Sequence, residues 1–370
     1  MSCFKRKTLT VSSLLPVTVG LSGGVDSSVA VLLLQKQGYQ VSAAFMKNWE
    51  EETICPAEQD YQDACSVAQT LGVPLRAVSF ADIYWDKVFI PFLDEYKAGQ
   101  TPNPDVACNR EVKFSAFFSY ALQQGAERIA TGHYARVRQV DRTWQLLKGV
   151  DSTKDQSYFL YSLGQEQLSR VLFPVGNLLK TEVRRLATEA RLVTQDKKDS
   201  TGICFIGERP FREFLARYLP PQPGPLVTEE GEEIGQHDGL MYYTLGQRQG
   251  LRLGGKRGKS EEPWYVAKKE ASTNTLVVVQ GQDHPLLYHA GLVASRVSWT
   301  AGEPPIFPMI CYAKTRYRQS DQSCVVTKYQ EGQLHVLFST PQRAITPGQS
   351  VVFYQNEECL GGGIIEIATD

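Results

Sequence analysis

Ser22-Gly23-Gly24-Val25-Asp26-Ser27-Ser28 stands between a short apolar run, Val17–Leu21, and a stretch, Ser27–Gln37, with apolar residues at 29, 30, 32, 33 and 34. The apolar run, bounded by Pro16 and glycine, reads as a buried strand; the periodic stretch, stopping at Gly38, reads as a helix. Strand, glycine turn and helix in that order bring loop N–H groups and a helix N-terminus to one place, where an anion binds well. Two adjacent glycines put no Cβ in the way, and Ser22, Ser27 and Ser28 add hydroxyl donors. No lysine follows the glycines, so the Gly-x-x-x-x-Gly-Lys phosphate loop is absent, and the spacing also fails the dinucleotide fingerprint. Ser-Gly-Gly turns also serve as plain helix caps, so the turn alone leaves both readings open.

Outward from that turn the rhythm continues. Val41–Met46 and Leu75–Phe80 read as strands, Pro56–Leu71 as a helix followed by Gly72, and Phe114–Gln124 as a helix before a fourth strand, Arg128–Gly132. Strands alternating with helices of this length pair in parallel through crossovers, which predicts an α/β domain. The rhythm fades after 209–218, where Pro220, Pro221, Pro223 and Pro225 with Gly224 form a stiff linker. Beyond it come short strands such as Thr275–Gln280, a break near Gln282–His289, and then Met309–Lys314, Ser323–Lys328, Leu334–Phe338, Ser350–Phe353 and Gly363–Ile367. That spacing predicts a small barrel. The expected organisation is a parallel-sheet domain over 1–219, a small central β-rich domain over 220–285 and a C-terminal β-barrel over 286–370.

The 370 residues are 42% hydrophobic, which excludes disorder over most of the length. Lys+Arg 39 against Asp+Glu 40 leaves no global basic field, so a nucleic-acid partner would have to be held by local patches. Arg248, Arg252, Lys256, Arg257 and Lys259 form one basic stretch, and Lys314–Arg318 with Tyr312 and Tyr317 another. Lys5–Lys7 before Leu9–Leu21 faintly resembles a signal peptide, but Ser12, Ser13 and Pro16 interrupt the run and no small-residue cleavage site follows. No apolar run reaches membrane-spanning length, so a soluble, cytoplasmic protein without a membrane partner is expected.

Eight cysteines are scattered without a Cys-x-x-Cys pair, and only five histidines are present, which argues against a disulfide scaffold or zinc ribbon and for a reducing compartment. Most cysteines in such a chain are packing, and Cys65, Cys311, Cys324 and Cys359 fit that reading. Cys108 and Cys204 stand in different surroundings. Cys108 ends Asn103-Pro104-Asp105-Val106-Ala107-Cys108, in a Pro-rich loop expected just before a helix whose N-terminus would favour thiolate; Cys204 lies in Ser200-Thr201-Gly202-Ile203-Cys204-Phe205, after Lys197 and Lys198. Trp49 with Glu50–Glu52 reads as an exposed acidic loop, and His133 as a loop histidine satisfied by its neighbours.

The seven-residue turn is similar to the PP-loop of the ATP pyrophosphatase superfamily, whose members split ATP into AMP and pyrophosphate. With Asn103-Pro104-Asp105-x-x-Cys108-Asn109 and Gly202-Ile203-Cys204-Phe205-Ile206-Gly207, the chain resembles the tRNA-specific 2-thiouridylase family of that superfamily. The resemblance extends through Ala44-Phe45-Met46, Thr131-Gly132-His133-Tyr134-Ala135, Lys154-Asp155-Gln156-Ser157-Tyr158-Phe159-Leu160, Tyr243–Arg248 and Lys314–Arg318. Leu21 and Leu245 replace commoner Met and Ile, both conservative changes. The resemblance implies that Gly20, Leu21, Ser22, Gly23, Gly24, Val25, Asp26 and Ser27, with Met46 and Gly132, hold ATP. It implies that Asn103, Pro104 and Asp105 meet the target base, Asp105 doubling as acid/base. Cys204 would carry sulfur as a persulfide and Cys108 attack it, the two ending as a disulfide. Lys154, Asp155, Gln156, Arg316 and Tyr317 would touch tRNA.

The implied chemistry is coherent. A uridine carbonyl oxygen leaves poorly and AMP leaves well, so ATP with Mg²⁺ is consumed to activate that oxygen, and a cysteine persulfide carries sulfur more safely than dilute sulfide. The partners expected are tRNA, with its base flipped from the stack, and a persulfide donor or relay protein. No permanent cofactor, iron–sulfur cluster or protein-bound metal is expected. Two rivals remain at this point: a PP-loop synthetase that adenylates a carboxylate or carbonyl for an amine, which needs no cysteine pair, and a non-catalytic module binding ATP and RNA.

Overall fold

A computed structural model describes residues 14–49, 56–199, 210–253, 262–328 and 332–370. The first strands are β1 (Pro16–Gly20), β2 (Gln40–Lys47), β3 (Leu75–Ser79) and β4 (Arg128–Ala130), followed by a hairpin, β5 (Ala135–Val140) and β6 (Thr143–Lys148), and by the short β7 (Val171–Leu172). β3, β2, β1, β4 and β7 lie in that order in a five-stranded sheet in which every pairing is parallel. The order turns back on itself between β1 and β4, and at such a switch point the loops leaving the strands' carboxyl ends open a crevice where ligands bind. The turn after β1 and the turn after β4 both lie there.

Helix α1 (Val25–Lys36) begins two residues earlier than the apolar spacing indicates, so Val25 and Asp26 already belong to its first turn. It buries Val25, Val29, Ala30, Val31 and Leu34 between the sheet and the helix Lys180–Glu189, which explains its nearly continuous apolar sequence. Helix α2 runs Pro56–Leu71 as its pattern predicts. The expected helix Phe114–Gln124 is only part of a longer run: Pro104–Cys108 is α-helical, Asn109–Ala116 is a π-helix and Phe117–Gln123 is α-helical again. Cys108 is therefore inside a helical run, at the end of its first segment, and not in a loop ahead of it. The wider π turns shift which side chains share a face, a feature that simple periodicity does not reveal.

The central strands β8 (Gly224–Val227), β9 (Glu233–His237), β10 (Trp264–Glu270) and β11 (Thr275–Gln280) make a four-stranded sheet in the order β10-β11-β8-β9. The last strands are β12 (Tyr288–Trp299), β13 (Met309–Lys314), β14 (Gln322–Lys328), β15 (Leu334–Arg343), β16 (Ser350–Gln355) and β17 (Glu358–Thr369). They close into a six-stranded barrel in the order β12-β15-β14-β13-β16-β17, with β17 pairing back to β12. Closure removes the open edges that a sheet of this size would expose. Cys311 and Cys324 face each other inside it, their sulfurs 3.7 Å apart, and Cys359 is fully buried, in keeping with packing roles.

The hairpin β5–β6 pairs with the barrel, Leu147 opposite Glu358 and Leu146 opposite Cys359. A strand pair from the N-terminal part thus extends the C-terminal sheet and fixes the barrel against the parallel-sheet domain. No helix among the described residues is long and apolar enough to cross a membrane.

Candidate active site

The turn after β1 is built from its own hydroxyls. Ser27 Oγ donates to the Gly24 carbonyl (3.1 Å) and accepts from the Ser22 N–H (3.2 Å), while Ser22 Oγ lies 3.1 Å from Ser27 Oγ. Ser28 Oγ donates to the same Gly24 carbonyl at 2.8 Å. Gly24, the N-cap residue of α1, has no capping side chain. Gly23 adopts φ +74°, and a Cβ there would fall 2.1 Å from the Asp60 carbonyl of α2, so only glycine fits. Gly132 packs as tightly from the neighbouring turn, since a Cβ would lie 2.6 Å from the Ser27 nitrogen. Gly20 faces Met46, whose Cε would be 3.0 Å from an added Cβ. Leu21 and Val25 are buried in the core, so of these two only the backbone can face a ligand.

Two lysines to which the sequence assigns no role at this turn are anchored on it. Lys180, the first residue of its helix, donates to both carboxylate oxygens of Asp26 (2.7 and 2.8 Å) and lies 2.8 Å from Asp199. Tyr134 OH also donates to Asp26, at 2.8 Å. Lys197 donates to the Gly23 carbonyl at 3.0 Å and to Asp60 at 2.7 Å, and pairs with Asp63. Asp199 collects Lys154 (2.7 Å) and Arg184 (2.9 Å) besides Lys180. Burial alone would raise its carboxyl, but the hydrogen bonds from Lys154 and Lys180 hold it down at about 2. The segment leading toward Cys204 is thereby fastened to the glycine turn. Cys204 itself, and with it the disulfide expected with Cys108, lies outside the described residues.

Asn103 caps the helix Pro104–Cys108, its side-chain oxygen accepting from the Asp105 and Val106 N–H groups at 3.2 and 3.4 Å. The barrel holds the preceding loop: Thr101 N–H donates to the Pro347 carbonyl (2.9 Å) and Gln349 Nε2 to the Thr101 carbonyl (2.7 Å). Burial raises the Asp105 carboxyl, and the Lys113 charge partly offsets this. Cys108 is 2% exposed. His133 is buried, with Nδ1 2.7 Å from Thr131 Oγ1 and Nε2 3.5 Å from Lys113 Nζ. Its pKa is driven well below the ordinary histidine value, by burial first and by Lys113 second, so the ring is neutral. That accords with a satisfied loop histidine.

The residues expected at tRNA converge from two parts of the chain. Asp155 is buried, accepting from the Gly149 and Ser157 N–H groups and from Ser157 Oγ, with Lys314 of β13 at 3.7 Å. Gln156 accepts the Tyr134 N–H at 2.9 Å. Tyr317 packs on Phe159, ring centroids 4.4 Å apart, and Arg316 is exposed beside it. Asp155 is thus an internal anchor and Lys154 is engaged with Asp199, whereas Arg316 is exposed. Trp49 departs from expectation: it packs on Trp85 and Phe89, centroids 5.5 and 4.8 Å away, and is no free loop residue. Glu50–Glu52 lie outside the described residues, as do Lys256, Arg257 and Lys259.

Comparison with known proteins gives this geometry a family. A family model described as tRNA methyl transferase HUP domain matches residues 15–208; a PRC-barrel domain and an aminomethyltransferase beta-barrel domain of the same series match 212–280 and 289–365. The tRNA-specific 2-thiouridylase MnmA of Methylococcus capsulatus is 60% identical over 95% of this chain and 96% of its own. That of Francisella tularensis subsp. novicida is 58% identical over 94% and 98%. The chain belongs to the tRNA-specific 2-thiouridylase family. Within it, the parallel-sheet domain corresponds to the HUP model and the six-stranded barrel to the beta-barrel model, as the α/β-plus-barrel reading of the sequence predicts. No cluster of three or more metal-ligating side chains occurs among the described residues.

Proposed function

We propose that this chain is a tRNA-uridine 2-sulfurtransferase that activates the wobble uridine's 2-oxygen with ATP and replaces it with sulfur from a cysteine persulfide. The reading is supported by the close approach of Gly132 to the glycine turn and by Lys113, on the helical run that bears Asp105 and Cys108, reaching His133 beside Gly132, in a chain 60% identical to a 2-thiouridylase. The turn's N–H groups and the N-terminus of α1 are suited to the ATP phosphates. Magnesium, arriving with those phosphates, would screen their charge.

The uridine 2-oxygen attacks the α-phosphorus, and pyrophosphate leaves. Cys108 thiolate then attacks the inner sulfur of the Cys204 persulfide, forming the Cys108–Cys204 disulfide and releasing hydrosulfide. Hydrosulfide adds at the activated C2 and AMP departs. The transferred sulfur is reduced as the two thiols are oxidised, and an external thiol reductant restores them. Asp105, three residues before Cys108 on the same helix and with its carboxyl raised by burial, would take the Cys108 proton. Arg316, exposed, and Lys154, in its pair with Asp199, would meet tRNA, and a persulfide-bearing protein supplies Cys204.

The test is ATP turnover. The enzyme mixed with ATP, Mg²⁺, a persulfide donor, reductant and unmodified tRNA forms AMP and pyrophosphate, and forms neither when tRNA is left out. Binding of both ligands without AMP would instead identify an ATP- and RNA-binding module.

A further inference from the structure

Lys113 sits in the π-helical segment Asn109–Ala116, eight residues beyond Asp105 and half-buried. An ammonium group can only donate, so the His133 Nε2 that it approaches at 3.5 Å must present a lone pair. The hydrogen of the neutral ring then lies on Nδ1 and is given to Thr131 Oγ1 at 2.7 Å. The ring is clamped between Phe114 and Phe173, with centroids 5.7 and 6.1 Å away, so its lone pair points in a fixed direction. Thr131 and His133 flank Gly132, which abuts the Ser27 nitrogen of the nucleotide turn. Lys113 is thus aimed by residues that flank Gly132, on the helical run that carries Asp105 and Cys108. A cation held in this way inside a site where a pentavalent, anionic phosphoryl group must form is a stabiliser that needs little reorganisation during the reaction.

We infer that Lys113 is a catalytic residue of this site, its ammonium, oriented by neutral His133, donating to an α-phosphoryl oxygen of ATP while the uridine oxygen attacks. The inference rests on the proposed thiolation. The O–P bond to uridine forms as the bond to pyrophosphate breaks, and Lys113 stays protonated throughout. Its charge also opposes the burial that raises Asp105.

The experiment measures tRNA-dependent AMP formation, with a persulfide donor and reductant present, by wild type, Lys113→Gln and Lys113→Arg across pH. Lys113→Gln is expected to lose about 10²-fold or more in kcat, as removal of a transition-state donor does, with KM for ATP little changed. Without the lysine charge Asp105 ionises at higher pH, so the acid limb of kcat/KM moves upward in Lys113→Gln and stays in place in Lys113→Arg. A Gln variant with wild-type kcat, or with an unmoved acid limb, overturns the inference. If the Gln variant does not fold, Lys113→Arg decides: lowered kcat with the acid limb in place supports the role, and a displaced limb overturns it. A wild-type enzyme that makes no AMP sinks the thiolation reading as well, whereas an active wild type with an indifferent variant sinks this inference alone.

Discussion

The Lys180 ammonium donates to both carboxylate oxygens of Asp26, at 2.7 and 2.8 Å, joining the first turn of α1 to a helix that begins 154 residues later. The same ammonium reaches Asp199 at 2.8 Å, so one cation ties the glycine turn to the segment preceding Cys204. The Lys180 side chain is 11% exposed and that of Asp26 30%, enough burial for the pair to matter to both stability and shape. Lys180→Met leaves Asp26 with Tyr134 alone. It is expected to cost about 2–3 kcal/mol, below the fully buried range because Asp26 meets some water. Urea unfolding of the two proteins measures this, and equal midpoints would refute it.

Asp199 gives a pH prediction with a definite sign. Its folded carboxyl titrates at about 2, and an unfolded one at about 3.9. The stabilisation is therefore complete above the unfolded value and is lost as pH falls from about 4 toward 2. Thermal melting of wild type and Asp199→Asn should differ at neutral pH and converge in acid. A constant difference across that window would contradict the assignment.

Gly132→Ala places a methyl carbon where the Ser27 nitrogen lies 2.6 Å away. The turns after β1 and β4 must then part. The displacement should weaken ATP binding and lower turnover by about 10²-fold, as ångström-scale misplacement does. Isothermal titration with ATP checks the first effect and AMP release the second.

Gln349→Ala removes the barrel's hold on the Thr101 carbonyl, a hydrogen bond worth about 1 kcal/mol. ATP affinity should be unchanged while KM for tRNA rises, because the loop entering Asn103 loosens and the nucleotide turn does not. Comparison of the two KM values tests this separation.

Local pattern carried most of the fold into the sequence. Val17–Leu21, Pro56–Leu71, Thr275–Gln280 and Met309–Lys314 declare themselves by run length, period and bounding glycines or prolines, and each lies within a residue or so of its element. The hairpin β5–β6 was not legible because its strands mix apolar and polar residues and gain their place by pairing with β17. The π-helix around Lys113 was hidden because it follows a period that no simple pattern distinguishes. In the site, glycines and short motifs were readable, since close approach dictates the residue type. Lys180, Lys197 and Lys113 were not: a lysine looks alike on any helix, and only tertiary structure sets its ammonium 2.7 Å from Asp26 or beside His133.

The central claim is sulfur transfer to a tRNA uridine through Cys108 and Cys204. Unmodified tRNA incubated with enzyme, ATP, Mg²⁺, a persulfide donor and reductant, then digested and examined by mass spectrometry, addresses it most directly. Wild type should yield 2-thiouridine at the wobble position, and Cys108→Ser and Cys204→Ser none. Absence of a thiolated uridine with wild type, or its persistence in both serine variants, would contradict the account.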